Sequence, residues 1–118
     1  MDDATLGHAR SHLVVASRAA GIAAPIDTPS LQIKDLDAVV IEARLAKRYG
    51  MGGKLCIHPA QVSVVASAFL PTPQEVMQAR SIVEVSQGRG AGVVDGQMID
   101  RPVIDRALLV LARAGLSA

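Results

Sequence analysis

Gly53 to Val62 read GKLCIHPAQV, a compact apolar run that carries a thiol and an imidazole two residues apart and closes on a proline. What this stretch is decides the fold. KLCIH has the length and composition of a buried strand, and Pro59 suits the first position of a helix, where its missing N–H is one the helix cannot use. A strand that passes directly into a helix is one half of a β/α unit. On such a strand Cys56 and His58 point to the same face. A metal pair there needs two more ligands, yet His8 and His12 belong to a different helix and no CxxC or HExxH motif lies nearby. No metal ligand is therefore assigned, and Cys56, a lone cysteine in an apolar run, reads as core. His58 stands where strand gives way to helix, the edge of β/α architectures at which ligands bind. It is either a site residue or a histidine bonded to local backbone.

Working outward, IAAPIDTPS from Ile22 to Ser30 predicts a brief strand running into a loop. Between the two strands Leu36, Val39, Val40, Ala43 and Ala46 mark one face of a helix. Asp35 lies near its start and Lys47 and Arg48 in its last turn, as the helix dipole prefers, and Gly50, Gly52 and Gly53 break it. Upstream, Leu6, Leu13, Val14 and Ala20 fall on helical spacing over 4–20 with Gly21 as a stop, predicting a largely buried helix. Downstream, the helix opened by Pro59 has Val62, Val65, Ala66 and Phe69 as its expected inner face. Another starts at Thr72 or Pro73, aligns Val76, Ala79 and Val83, and stops near Gly88. GRGAGVVDGQMID is a small hairpin or an ordered loop, and a last helix from about Pro102 to Ala114 presents Val103, Ala107, Leu111 and Ala114.

The order helix, strand, helix, strand, helix over 1–70 predicts parallel β/α units, and 71–118 a helical extension. A parallel strand must be covered on both faces, so two strands alone are a poor fold. Further strands are expected from elsewhere in space, with self-association the simplest route.

The 118 residues suffice for a real core and are half hydrophobic, but Phe69 and Tyr49 are the only aromatics. Twelve basic residues against eleven acidic ones give a net charge of +1 with no long run of one sign. That balance argues against nucleic acid or an acidic membrane as partner. One cysteine makes no internal disulfide, no apolar run approaches the ~20 residues of a bilayer span, and MDDATLGHAR lacks a signal-peptide core, so a cytoplasmic protein is expected.

Two glycine-rich motifs fail on inspection. Gly50, Gly52 and Gly53 precede Lys54, but Arg48 occupies the place of the first glycine of GxxxxGK, Leu55 follows the lysine, and the run precedes a strand. GRGAG from Gly88 has no strand leading into it and no helix directly after it. Two aspartates each keep two readings. Asp100, before Arg-Pro at a helix start, is an N-cap or a general acid or base delivered into a neighbouring cleft; Asp27, at a strand end, is a turn former or a pocket residue.

Four stretches, taken in order, resemble the citrate lyase beta-subunit family of CoA-ester lyases, which includes malyl-CoA and citramalyl-CoA lyases: ARSHLVVASRAAGIAAPID from Ala9, IKDLDAVVIEARLAKRYGMGGKLCIHPAQV from Ile33, FLPTPQEVMQARSIVE from Phe69 and GQMIDRPVIDRA from Gly96. The resemblance implies a (β/α)-barrel with a C-terminal helical extension, commonly trimeric or hexameric, of which this chain supplies the last two β/α units and the extension. It implies cleavage of a 3-hydroxyacyl-CoA such as citryl-CoA or malyl-CoA into acetyl-CoA and a 2-oxo acid, with Mg²⁺ holding the oxo acid. Asp100 matches the aspartate that in several relatives protonates the thioester enolate from an adjacent subunit. GKLCIHP becomes the last barrel strand, with Ile57, His58 and Pro59 holding the CoA moiety largely through backbone groups, and IAAPID the strand before it, with Asp27 near the same mouth.

In the family the metal-binding glutamate and aspartate, and the arginine that grips the oxo acid, lie upstream of the point matched by Ala9. Arg10 and Arg18 belong to the matched helix and do not replace that arginine. A whole barrel needs ~250 residues, so a fragment or split half is expected, inactive alone and completed by a complementary N-terminal half or by self-association. The alternatives are a non-catalytic module kept for assembly or CoA-ester binding, and a gene remnant without a stable role.

Overall fold

A computed structural model describes residues 3–89, 92–94 and 96–116. Residues 90, 91 and 95 of the glycine-rich segment and 1–2 of the amino-terminal run lie outside the described residues. The chain divides into two compact units, Met1–Phe69 and Leu70–Ala118.

In the first unit the order is α1 (Asp3–Ala19), β1 (Ile26–Asp27), α2 (Leu36–Tyr49), β2 (Gly53–Lys54) and α3 (Pro59–Phe69). β1 and β2 pair in parallel, Ile26 opposite Gly53 and Asp27 opposite Lys54, and α2 makes the crossover that parallel pairing demands. Asp35 caps α2 by accepting from the Ala38 N–H at 3.0 Å. At the other end Gly50 turns left-handed (φ 95°), so that Gly50 N–H reaches Lys47 O and Met51 N–H reaches Ala46 O. That double bond satisfies carbonyls the helix leaves open and needs a residue without a Cβ penalty. α1 ends in the same way at Gly21 (φ 68°).

The core of this unit is small: Val39, Ala43 and Val65, with Cys56, Val64, Ala68 and Phe69 packed against them. The α2 face is the expected one. Three expectations change. β2 stops at Lys54 instead of running through His58, because the next backbone N–H groups turn away from the ladder toward a side chain of α3. Only Leu55 N–H still reaches β1, at Asp27 O (3.0 Å). Cys56 and His58 therefore do not share a strand face. The inner face of α3 is rotated: Val62 is 55% exposed and Ala66 is exposed, while Gln61 is buried beside Val65. Finally, α1 is not largely buried; from 5 to 19 only Gly7 is buried, where an added Cβ would collide with the Tyr49 hydroxyl. Leu13 and Val15 stand 53% and 68% exposed, since two strands of two residues offer too little sheet to cover them.

The second unit holds α4 (Pro73–Arg89), β3 (Gly92–Val94), β4 (Gln97–Ile99) and α5 (Arg101–Arg113). Thr72 and Glu75 cap α4 reciprocally: Thr72 N–H donates to Glu75 Oε2 at 2.7 Å and Glu75 N–H to Thr72 Oγ1 at 3.1 Å. β3 and β4 form an antiparallel hairpin with Val93 opposite Met98, resolving the choice between hairpin and loop. The core is Ala79, Ile82, Val83, Ile99, Ala107 and Leu111, with Val76, Val103 and Ile104 packed on it. Ile82 completes the expected α4 stripe.

Ile99 has no exposed surface and lies in the middle of this cluster. Ile99→Ala is expected to cost about 2–5 kcal/mol by loss of apolar contact and cavity formation, read as a lower urea midpoint at unchanged slope.

Candidate functional site

β1 and β2 end side by side, and their last residues carry opposite charges. Lys54, its side chain 2% exposed, directs Nζ to Asp27 Oδ2 (3.0 Å), to the Thr28 carbonyl oxygen (2.8 Å) and to Glu42 Oε2 (3.4 Å). The other Asp27 oxygen accepts from Arg10 Nε at 3.3 Å, and the Arg10 guanidinium lies 5.9 Å from the centre of the Tyr49 ring. Two cations thus face two carboxylates at the strand ends. Burial alone pushes the Asp27 carboxyl up, but hydrogen bonding and charge from Lys54, with Arg10 adding to both, more than offset it and hold the carboxyl below its ordinary 3.8.

This settles what Asp27 can do chemically. Both oxygens are engaged by cations, so it is neither a ready base nor an open metal ligand. Its Lys54 amine faces three acceptors and is likewise no nucleophile. Among the described residues no group of three or more His, Cys, Asp or Glu side chains is placed to hold a metal ion.

Beyond the charged pair lies an edge of backbone. Gln61, 1% exposed, accepts from Ile57 N–H (2.9 Å) and His58 N–H (3.3 Å) through Oε1. Its Nε2 donates to Ser30 O (3.0 Å) and Gln32 O (2.9 Å). The loop after β1 and the turn after β2 are thereby joined by one amide with all four of its main hydrogen-bonding positions used. Ser30, itself buried, accepts from Gln32 N–H at 3.1 Å and tightens that loop.

His58 sits at the N-cap of α3. Ala60 N–H donates to His58 Nδ1 at 3.1 Å, which places the proton of the neutral ring on Nε2. One ring nitrogen of His58 is thus bonded to local backbone, and the rest of the ring is exposed at the strand edge. Ile57 is 52% exposed and Pro59 is exposed beside it. Cys56 is partly buried on the α2–α3 core with Sγ 3.9 Å from Lys54 O, as a core cysteine.

Ile57, His58 and Pro59 follow one another in the turn after β2, and Asp27 ends the neighbouring strand β1; Asp100 belongs to the second unit. It caps α5, accepting from Val103 N–H at 3.3 Å, with extended backbone (φ −123°, ψ 179°) and an exposed side chain. The next turn is closed by Arg101 and Asp105 at 2.9 Å. The residues the sequence reading missed are Lys54, Glu42, Arg10 and Gln61. Gln61 carried a signal: glutamine three positions after a helix start is the spacing from which a side chain reaches back to the N-cap amide.

Residues 10–116 match the family of C–C bond lyases of the TIM-barrel fold, and the chain belongs to it. The β1–β2 pair with its helices is accordingly a portion of a (β/α)-barrel, and α4, the hairpin and α5 are its helical extension. The chain is 43% identical over 111 residues to citrate lyase subunit beta of Haemophilus influenzae, covering 90% of this chain and 38% of that protein. It is 33% identical over 112 residues to the mitochondrial citramalyl-CoA lyase of Rattus norvegicus, covering 91% and 33%. The crystal structure of CitE from Mycobacterium tuberculosis in complex with magnesium, acetoacetate and coenzyme A matches 94% of this chain with a TM-score of 0.80 and 38% identity, over 42% of its own length. The chain spans less than half the length of each of these proteins. No helix among the described residues is long and apolar enough to cross a membrane.

Removing one partner of a buried ion pair strands the other. Asp27→Asn is expected to destabilise the first unit by about 3–5 kcal/mol in urea at neutral pH. Because the folded carboxyl lies below its unfolded value, its contribution is complete above pH 3.8 and is lost as pH falls through the lower folded value. Acid titration of stability is therefore expected to be shallower in Asp27→Asn than in the unmodified chain.

Proposed function

We propose that this chain supplies the closing two β/α units and the helical extension of a lyase that cleaves a 3-hydroxyacyl-CoA, of the citryl-, malyl- or citramalyl-CoA type, to acetyl-CoA and a 2-oxo acid. The observation that carries the reading is the strand-end edge around His58, a rigid rim of backbone and one imidazole donor at the position where β/α folds bind ligands. Membership of the C–C bond lyases and likeness to a protein crystallised with coenzyme A support it.

In the cleavage a base in the complementary barrel portion takes the proton of the substrate hydroxyl, whose oxygen becomes the carbonyl of the oxo acid. The electron pair of the broken C–C bond passes to the thioester fragment as an enolate, which takes a proton at carbon. The Asp100 carboxyl delivers that proton. Its helix cap fixes where the carboxyl stands, and the oxygen not engaged with Val103 is available for transfer. Ile57, His58 and Pro59 orient the CoA portion, while Asp27 holds the two strand ends in place behind them. A Mg²⁺ ion serving this chemistry would be held by strands of a complementary barrel portion or another subunit, where it would hold the oxo acid, the extension reaching a neighbour's site. The setting is cytoplasmic.

The chain alone with Mg²⁺ and malyl-CoA or citryl-CoA is expected to show no turnover, and turnover is expected when the missing barrel portion of a relative is supplied as a second chain. In that assembly Asp100→Asn, which preserves the helix cap, is expected to lower turnover by about 10²–10⁴-fold with little change in acetyl-CoA affinity. Ordinary turnover by the isolated chain would sink the split-site reading. Undiminished turnover in Asp100→Asn would remove the proton-transfer role.

A further inference from the structure

Gln61 is the most fully buried amide of the first unit and takes no part in the chemistry just described. A glutamine so placed at the start of a helix needs a reason, because burying an amide is costly unless its donors and acceptors are met. Here they are met by two loops distant in sequence: Ser30 and Gln32 after β1, and Ile57 and His58 after β2. Nothing apolar joins these loops; Leu31 is 82% exposed and Ile57 52%. The two loops also share no strand ladder, since β1 and β2 end at Asp27 and Lys54.

We propose that Gln61 is the positioning residue of the thioester-binding edge: its single amide makes the loop Ser30–Gln32 and the turn Ile57–His58 one rigid lip, and affinity for the CoA thioester depends on that union. This rests on the reading of the strand-end edge as the CoA site. The two halves of the amide do different work. Oε1 holds the turn in the manner of a capping box, fixing the backbone on which the His58 ring is hung. Nε2 holds the loop, tying the far side of the edge to α3. A carboxylate of the same shape keeps the first function and abolishes the second, because it accepts from amides and repels carbonyl oxygens.

The test uses the full chain, acetyl-CoA as probe, calorimetry for affinity and amide hydrogen exchange at Ile57 and His58. Gln61→Glu is expected to keep both amides protected yet weaken acetyl-CoA by at least about tenfold. Gln61→Leu is expected to lose protection and affinity together. Val65→Ala, a core truncation on the same helix that leaves the lip untouched, is the control: it lowers the melting temperature and is expected to bind acetyl-CoA as the unmodified chain does, so that loss of affinity is separated from loss of stability. Unmodified affinity in both Gln61 variants would overturn the proposal while leaving the CoA reading intact. Loss of affinity in Val65→Ala equal to that in Gln61→Glu would overturn it as well. Failure of the unmodified chain to bind acetyl-CoA would overturn this proposal and the thioester site together.

Discussion

The first unit depends on a charge pair placed at the end of its paired strands β1 and β2. The apolar core beside it, Val39, Ala43 and Val65, joins the helices α2 and α3 and includes no residue of the β1–β2 ladder, so it does not by itself fix the register. The charges do not tolerate a displaced register. Asp27 stands opposite Lys54 in the ladder, and a slip by one residue would set Gly53 or Leu55 there and send the lysine to the other face. The two buried charges would then lose each other, leaving Asp27 with Arg10 and Lys54 with Glu42, and a buried charge that loses a partner is costly. The pair adds little net stability over an apolar substitute, but it selects one register among several.

The same economy of means runs through the loops. With only two aromatic residues in the chain, few bulky side chains are present to wedge loops against the core, and polar groups at the element ends do that work. Asp35 starts α2, the Thr72–Glu75 pair starts α4 and Asp100 starts α5. α3 lacks a short polar cap and uses an imidazole from outside and an amide from within. Each such group has its partner; no buried side-chain nitrogen or oxygen among the described residues lacks one. Order at the functional edge is therefore set by hydrogen-bond direction, which is sharper than hydrophobic contact and less forgiving of substitution.

How much of this could be read beforehand follows from which forces are local. Helix faces with clear period and strong termini, such as Leu36–Tyr49 with Asp35 and Gly50, were legible because cap and stripe lie within one element. The extent of β2 was not: Leu55 to His58 are as apolar as a strand, and it is the Gln61 side chain, a few residues on, that claims two of their backbone amides. The exposure of Leu13 and Val15 was missed for a related reason, since an apolar stripe reports what a helix is suited to cover, not whether the covering surface is present. At the site, the positions of Asp27, His58 and Asp100 at element ends followed from the pattern. The pairing of Asp27 with Lys54 and Arg10 did not, because 27 and 17 residues of chain separate the partners and register alone brings them together.

Asp100 follows immediately on Ile99, a side chain with no accessible surface held between α4 and α5. One peptide link, about 3.8 Å between Cα atoms, separates a point fixed by packing from an exposed carboxylate. So short a lever transmits displacement almost undiminished: a shift of a few tenths of an ångström where the two helices meet becomes a comparable shift of the acid. Substitutions among Ala79, Ile82, Val83 and Leu111 thus form a mechanical adjustment for where the Asp100 carboxyl stands. Drift in that small core is a route by which this position can change while every residue around the carboxyl stays the same.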